Sequence, residues 1–138
     1  MIQFIGTQVE LREPYWENSL EIYNLGYIFE KNNQLERSIS LYEQAKQLQD
    51  SDRLLTRIET KLTWQYKRAD LYRKAVKIWQ EMIREKRGGL FPWIELAKYY
   101  EHQANDYKSA LQLVESAKKF LFSSLLDLNH NKHHIFLF

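Results

Sequence analysis

The chain has 138 residues, 44% of them apolar and 28% charged, which suffices for one compact domain or a short repeat array with a core of its own. A balance of 20 basic against 18 acidic side chains leaves a formal charge of +2, too even to imply nucleic-acid binding by charge alone. There is no cysteine, which excludes disulfides, thiolate catalysis and Cys-based zinc sites.

Residues 1–13 carry no basic leader and no long apolar run. Nowhere do roughly 18 apolar residues run together, so neither a signal peptide nor a spanning helix is expected. The chain therefore reads as a cytoplasmic protein with no membrane contact. Ile2, Phe4, Val9 and Leu11 alternate, as in a short strand or an extended arm laid on the first helix. Pro14 then opens a helix expected over 15–31, with Trp16, Leu20, Tyr23 and Tyr27 in apolar stripes. Asn32 and Asn33 break it. A second helix is expected over 35–48, with Ile39, Tyr42 and Ala45 on its buried face.

Asp50, Ser51 and Asp52 are N-cap formers and announce a third helix over 53–68. After a turn at Ala69-Asp70, a fourth helix carries Ala75, Val76, Ile78, Trp79, Met82 and Ile83. Gly88-Gly89 is expected to close it as a C′ glycine would. Pro92 suits the first turn of a fifth helix, with Trp93, Leu96, Ala97 and Tyr100 on one face. Asp106 caps a sixth helix, whose apolar face reads Tyr107, Ala110, Leu111, Val114 and Ala117 and continues through Phe120, Leu121, Leu125 and Leu126. Ala97, Ala110 and Ala117 are small enough to let two helix backbones approach.

Six helices in three hairpins contain an internal repeat. Leu25-Gly26 and Phe29 are followed by Ser38, Tyr42 and Ala45. Leu62-Thr63 and Tyr66 are followed by Ala75, Trp79 and Met82. Trp93, Leu96-Ala97 and Tyr100 are followed by Ala110, Val114 and Ala117. The period is about 34 to 37 residues, against 34 for the tetratricopeptide repeat, and the large-then-small pairs resemble that repeat over residues 19–120. The resemblance implies an all-α, right-handed α-solenoid of about three helix hairpins, at about 14–48, 52–87 and 91–122 within a repeat domain 14–122. The arm 1–13 and a tail 123–138 flank it. Such a hairpin cannot bury both its faces alone, and about three are the minimum for stability.

A narrower likeness covers residues 61–118. Ala75-Val76, Ile78-Trp79, Gly89-Leu90-Phe91-Pro92, Glu95 to His102 (ELAKYYEH), Asp106-Tyr107 and Ala110-Leu111 resemble the C-terminal helical region of a bacterial family of uncharacterised proteins. Members of that family carry a ribonuclease H-like exonuclease domain at the N-terminus. A two-metal nuclease needs carboxylates converging from several elements of a sheet, and none is expected here. Glu17 and Glu21 stand where the string closing such nuclease domains has its His and Asp, so no catalytic residue, metal or cofactor is carried over. The expectation is a non-enzymatic chain, the repeat half alone, as a fragment or a stand-alone relative.

In a tetratricopeptide array the concave groove is lined by the first helix of each hairpin. By register that groove presents Tyr23, Tyr27 and Lys31 from the first repeat, Thr60, Trp64, Lys67 and Arg68 from the second, and Lys98, Glu101 and His102 from the third. Aromatics flanked by Lys and Arg suit an acidic peptide of a protein partner, although Tyr27 and Trp64 could equally pack on a neighbouring helix or on the arm. The chaperone-binding subclass clamps a carboxylate with Lys, Asn and Arg. The corresponding positions here hold Tyr23, Tyr27, Lys61, Phe91 and Glu95, so that specificity is not expected.

The alternative is a nucleic-acid-contacting accessory role for Lys61, Lys67, Arg68, Arg73, Lys74 and Lys77, interleaved with Trp64, Tyr66 and Tyr72. The plain reading of the same stripe is a solvated helical face. His130, His133 and His134 have the chemistry of metal ligands but no carboxylate nearby to complete a site, so no metal role is expected. The apolar end, Ile135 to Phe138, is expected to pack on the last helix or on a second copy of the chain. His102 beside Glu101 is expected to be structural, because adjacent side chains on an α-helix diverge by about 100°.

Overall fold

The computed structural model describes residues 18–49 and 51–136, with side chains to Asn129. The arm expected at 1–13, Glu17, the tail histidines and the apolar end lie outside the described side chains. Among the described residues every regular element is helical and none is a strand: α1 (Ser19–Lys31), α2 (Leu35–Leu48), α3 (Asp52–Arg68), α4 (Tyr72–Arg84), α5 (Phe91–Lys98) with a π-helical turn Tyr99–Gln103, and α6 (Tyr107–Phe136). The protein is all-α, and sequence neighbours pack on each other. The chain divides into two compact units, Met1–Ile78 and Trp79–Phe138.

Helix ends follow from single side chains. Asn18 is extended, and its Oδ1 accepts from the Leu20 N–H at 2.8 Å and the Glu21 N–H at 3.3 Å. An Asn with a β-region backbone caps a helix and does not continue one, so α1 starts at Ser19, later than the Pro14 signal predicts. Ser51 caps α3 by accepting from the Leu54 N–H. Asp106 caps α6, accepting from the Ser109 N–H at 3.1 Å and the Ser109 hydroxyl at 2.6 Å. Those bonds hold the Asp106 carboxyl below the usual carboxylate range.

Three of the turns between helices share one construction. Asn33, Asp70 and Asn105 all have positive φ, at 59°, 61° and 53°. At the first two, the next N–H reaches back to a carbonyl in the last helical turn, Gln34 to Phe29 and Leu71 to Tyr66, as a Schellman end requires. These positions recur at about the 35-residue spacing of the sequence repeat. The α4 end departs from expectation. Its left-handed residue is Lys86, at φ 57°, and the Arg87 N–H bonds the Met82 carbonyl. The glycines form the next bend instead. Gly88 has φ 84°, a conformation strained for any L side chain, and a Cβ there would also lie 3.2 Å from Pro92 Cδ and displace the Met82 methyl at 2.6 Å, so glycine is favoured.

In the first unit, Ile22, Tyr23, Tyr42, Ala45, Ile58, Leu62, Tyr66, Ala75 and Ile78 are buried. Gly26 allows α1 and α2 to close: a Cβ there would stand 2.9 Å from the Tyr42 ring. Polar links then tie helices two apart. Glu30 on α1 accepts from the Tyr42 hydroxyl of α2 at 2.6 Å and meets the Lys61 ammonium of α3 at 3.6 Å. Glu43 on α2 accepts from the Tyr66 hydroxyl of α3 and meets Lys74 of α4 at 3.9 Å. Each carboxylate thus takes a phenol from the next helix and an ammonium from the one after. Burial, reinforced by the carboxylate acceptor, pushes both phenols far above the ordinary tyrosine value. Gln65 adds a buried bond to the Ser38 hydroxyl at 2.8 Å, which itself donates to the Leu35 carbonyl.

In the second unit, Trp79, Met82 and Leu96 are buried, and α5 packs on α6 through Trp93 against Phe120, centroids 5.6 Å apart. The apolar face expected on α6 is split into two. Ala110, Leu113, Ala117, Phe120 and Ser124 are half-buried, whereas Tyr107, Leu111 and Val114 point outward. α6 also runs on as helix to Phe136, through the segment expected as a tail from 123.

Candidate functional site

The expected groove residues of the first unit gather where α1 passes α3. Tyr27 and Trp64 are both exposed, at 39% and 42%. Between them stands Lys61, its Nζ 4.7 Å from the Tyr27 ring centroid and 5.7 Å from that of Trp64. The Lys31 ammonium also approaches the Tyr27 ring, at 5.1 Å. Ammonium groups at such distances are attracted to the negative ring faces, so the two aromatics are held open in a lattice of cations. Beside them a cleft of about 260 Å³ is lined by Glu30, Trp64, Gln65, Lys67 and Arg68. The surroundings are cationic, with Glu30 committed to Tyr42 and Lys61.

Helical register explains the grouping. Tyr27, Glu30 and Lys31 lie within one turn of α1, and Lys61, Trp64, Gln65 and Arg68 follow at three- and four-residue steps on α3. Lys61 is the residue that periodicity did not assign to the groove. The signal was its place one turn before Trp64, opposite a carboxylate one turn after Tyr27.

One other expected residue of this unit is placed elsewhere. Tyr23 is only 5% exposed, its ring 5.6 Å from Tyr42, with the Arg57 guanidinium over it at 5.4 Å. It belongs to the core. The Thr60 hydroxyl donates to the Thr56 carbonyl at 2.8 Å within its own helix.

The third-repeat residues sit in the second unit. Lys98 is paired at 2.9 Å with Glu95, which is buried. Lys98 and Glu101 border a cleft of about 360 Å³ between α5 and α6, walled mainly by Trp93, Ile94, Ala97, Val114 and Leu121. His102 Nε2 lies 3.5 Å from Glu101 Oε1, both exposed. That proximity corrects the expected divergence. These residues fall in the π-helical turn, where the backbone is wider and the Ala104 N–H bonds the Tyr99 carbonyl. Both side chains are more than half exposed to water.

The basic stripe is less available than the sequence suggests. Lys61 and Lys74 are each paired with a glutamate, and Tyr66, read as a stacking ring, is buried with its hydroxyl on Glu43. Among the described residues no group of three or more His, Asp or Glu converges as metal ligands would, and no helix is long and apolar enough to cross a membrane. No protein-family model and no curated protein matches this sequence.

Proposed function

We propose that the chain is a non-catalytic, tetratricopeptide-like interaction module, a right-handed solenoid of three helix hairpins that binds an acidic segment of a protein partner on the α1/α3 face. The observation carrying this reading is the exposed Tyr27–Lys61–Trp64 stack with Lys31 beside it. Aromatic rings and cations of this kind dominate the affinity of peptide grooves. The repeat reading draws support from the recurrent left-handed residues Asn33, Asp70 and Asn105 and from the glutamates that link α1 to α3 and α2 to α4. A solenoid makes such contacts between successive repeats. On the same reading the module serves as the accessory half of a nuclease-type protein, presenting a partner for chemistry performed elsewhere.

Fluorescence anisotropy with labelled peptides tests the proposal. Glu/Asp-rich peptides containing an aromatic residue should bind, and Lys-rich counterparts should not. Trp64→Ala and Lys61→Glu should each weaken binding by about 10-fold or more. Peptide binding indifferent to both substitutions rejects the site. A labelled single-stranded oligonucleotide bound with a steep salt dependence would instead favour a nucleic-acid role for the basic stripe.

A further inference from the structure

The cleft beside Trp64 holds more positive charge than the helices around it require. With the stack it adjoins, it collects Lys31, Lys61, Lys67 and Arg68 against the single carboxylate of Glu30. Lys61 offsets that carboxylate at 3.6 Å. Lys31, Lys67 and Arg68 stand in the last turns of α1 and α3, where cations complement the helix dipole. Each helix end carries only about half a negative charge, however, and backbone groups already close both ends. The Asn32 and Gln34 N–H groups bond the Ile28 and Phe29 carbonyls, and those of Ala69 and Leu71 bond the Gln65 and Tyr66 carbonyls. The sum over stack, cleft and helix ends therefore stays positive. Arg68 is exposed, and among the described residues no carboxylate lies within ion-pair distance of its guanidinium.

We infer that this cleft seats a phosphorylated side chain of the acidic partner segment, with Arg68 as the residue that selects it. The socket presupposes the peptide-binding role proposed for the α1/α3 face and adds the group that the face prefers. At about 260 Å³ it is smaller than the clefts of about 300–1,000 Å³ that enclose a whole small molecule, so it suits the end of a side chain. The Trp64 indole, 42% exposed, gives the carbon stem of an entering residue a ring to lie on. Glu30 is engaged by Tyr42 and Lys61, and the other lining groups are donors. They are the planar Arg68 fork, the Lys67 ammonium and the buried Gln65 amide, whose Nε2 gives one N–H to the Ser38 hydroxyl at 2.8 Å and keeps a second. A carboxylate has two oxygens and one charge, which the Arg68 fork alone satisfies. A phosphoryl group has three terminal oxygens and a charge of about −1.5 to −2 at neutral pH. Two of those oxygens take the fork, the third is left for Lys67 or Gln65, and the charge answers the positive sum.

Fluorescence anisotropy on the full chain compares three peptides of one acidic, aromatic-containing sequence, with serine, phosphoserine or glutamate at a single position. The phosphoserine peptide should bind about 10-fold tighter than the serine peptide, and the glutamate peptide no more than about 3-fold tighter. Arg68→Ala should remove most of the phosphoserine gain, and Arg68→Lys, which keeps the charge without the fork, should remove part of it. Arg73→Ala takes the same charge from an exposed position of α4 outside the cleft and should leave the gain in place. The phosphoryl socket is overturned by the absence of a gain in the wild type or by an equal gain from glutamate. A gain that Arg68→Ala lowers no more than Arg73→Ala does overturns it as well. In each of those cases peptide binding through Trp64 still stands. Failure of all three peptides to bind overturns the peptide-binding role, and the socket with it.

Discussion

Tyr42 shows how one side chain serves both packing and polarity. Its ring is fully buried and lies against Gly26 and Tyr23, while its hydroxyl reaches Glu30. Tyr42→Phe keeps the ring and removes the bond, leaving Glu30 with Lys61 alone. A hydrogen bond to a charged acceptor contributes about 1.5–3 kcal/mol when enclosed, and this one borders water, so a loss of about 1–2 kcal/mol is expected in urea unfolding. Ala75 is the opposite case, a side chain whose smallness matters. It is 0% exposed, so Ala75→Phe should overpack the first unit and cost about 1–3 kcal/mol. An unchanged melting temperature for that variant would remove the register that puts Ala75 inside.

Helices and their turns show what local rules decide and where they stop. Glycine inside a helix ordinarily costs about 1 kcal/mol relative to alanine, so Gly26→Ala would stabilise an exposed site. Here the new methyl would stand 2.9 Å from two atoms of a buried ring, and the pair must separate. Net destabilisation of about 1–3 kcal/mol is expected; a rise in melting temperature would mean that α1 and α2 do not approach as described. The place of Gly26 and Tyr42 in the repeat pattern was visible in the sequence, although their contact depends on how α1 meets α2. The end of α4 was not. An unbranched residue can take the left-handed conformation at modest cost when the following N–H gains a partner, and at Lys86 the bond from Arg87 to Met82 supplies it, although two glycines wait just beyond. α6 was half legible: apolar period marked a helix with an apolar side, but Ala110 and Leu111 are adjacent, and period alone does not say which stripe meets α5.

For the molecule as a whole, composition and spacing disclosed the helical class and most helix bounds, because those depend on neighbours in sequence. The exposed cation–aromatic cluster was legible at Tyr27, Lys31 and Trp64. Lys61 and the burial of Tyr23 were not, since both depend on the distance between α1 and α3. The links that set that distance also predict a global response to pH. Tyr42 and Tyr66 hold their protons well above the ordinary phenol value of 10.0. The folded chain therefore binds protons that the unfolded chain releases above about pH 10, and folding is favoured less as pH rises. Their contribution is complete below about pH 10 and is lost progressively above it, toward the raised folded-state values. Lysines titrate in the same range, so the comparison must be with a chain lacking only the phenols. Urea unfolding between about pH 8 and about pH 11 should show wild-type stability dropping steeply at the alkaline end. The Tyr42→Phe, Tyr66→Phe double variant should start lower at neutral pH and fall less over the same interval. Parallel curves for the two proteins would mean that neither phenol is held by its glutamate, and that the ties from α1 to α3 and from α2 to α4 do not stabilise the fold.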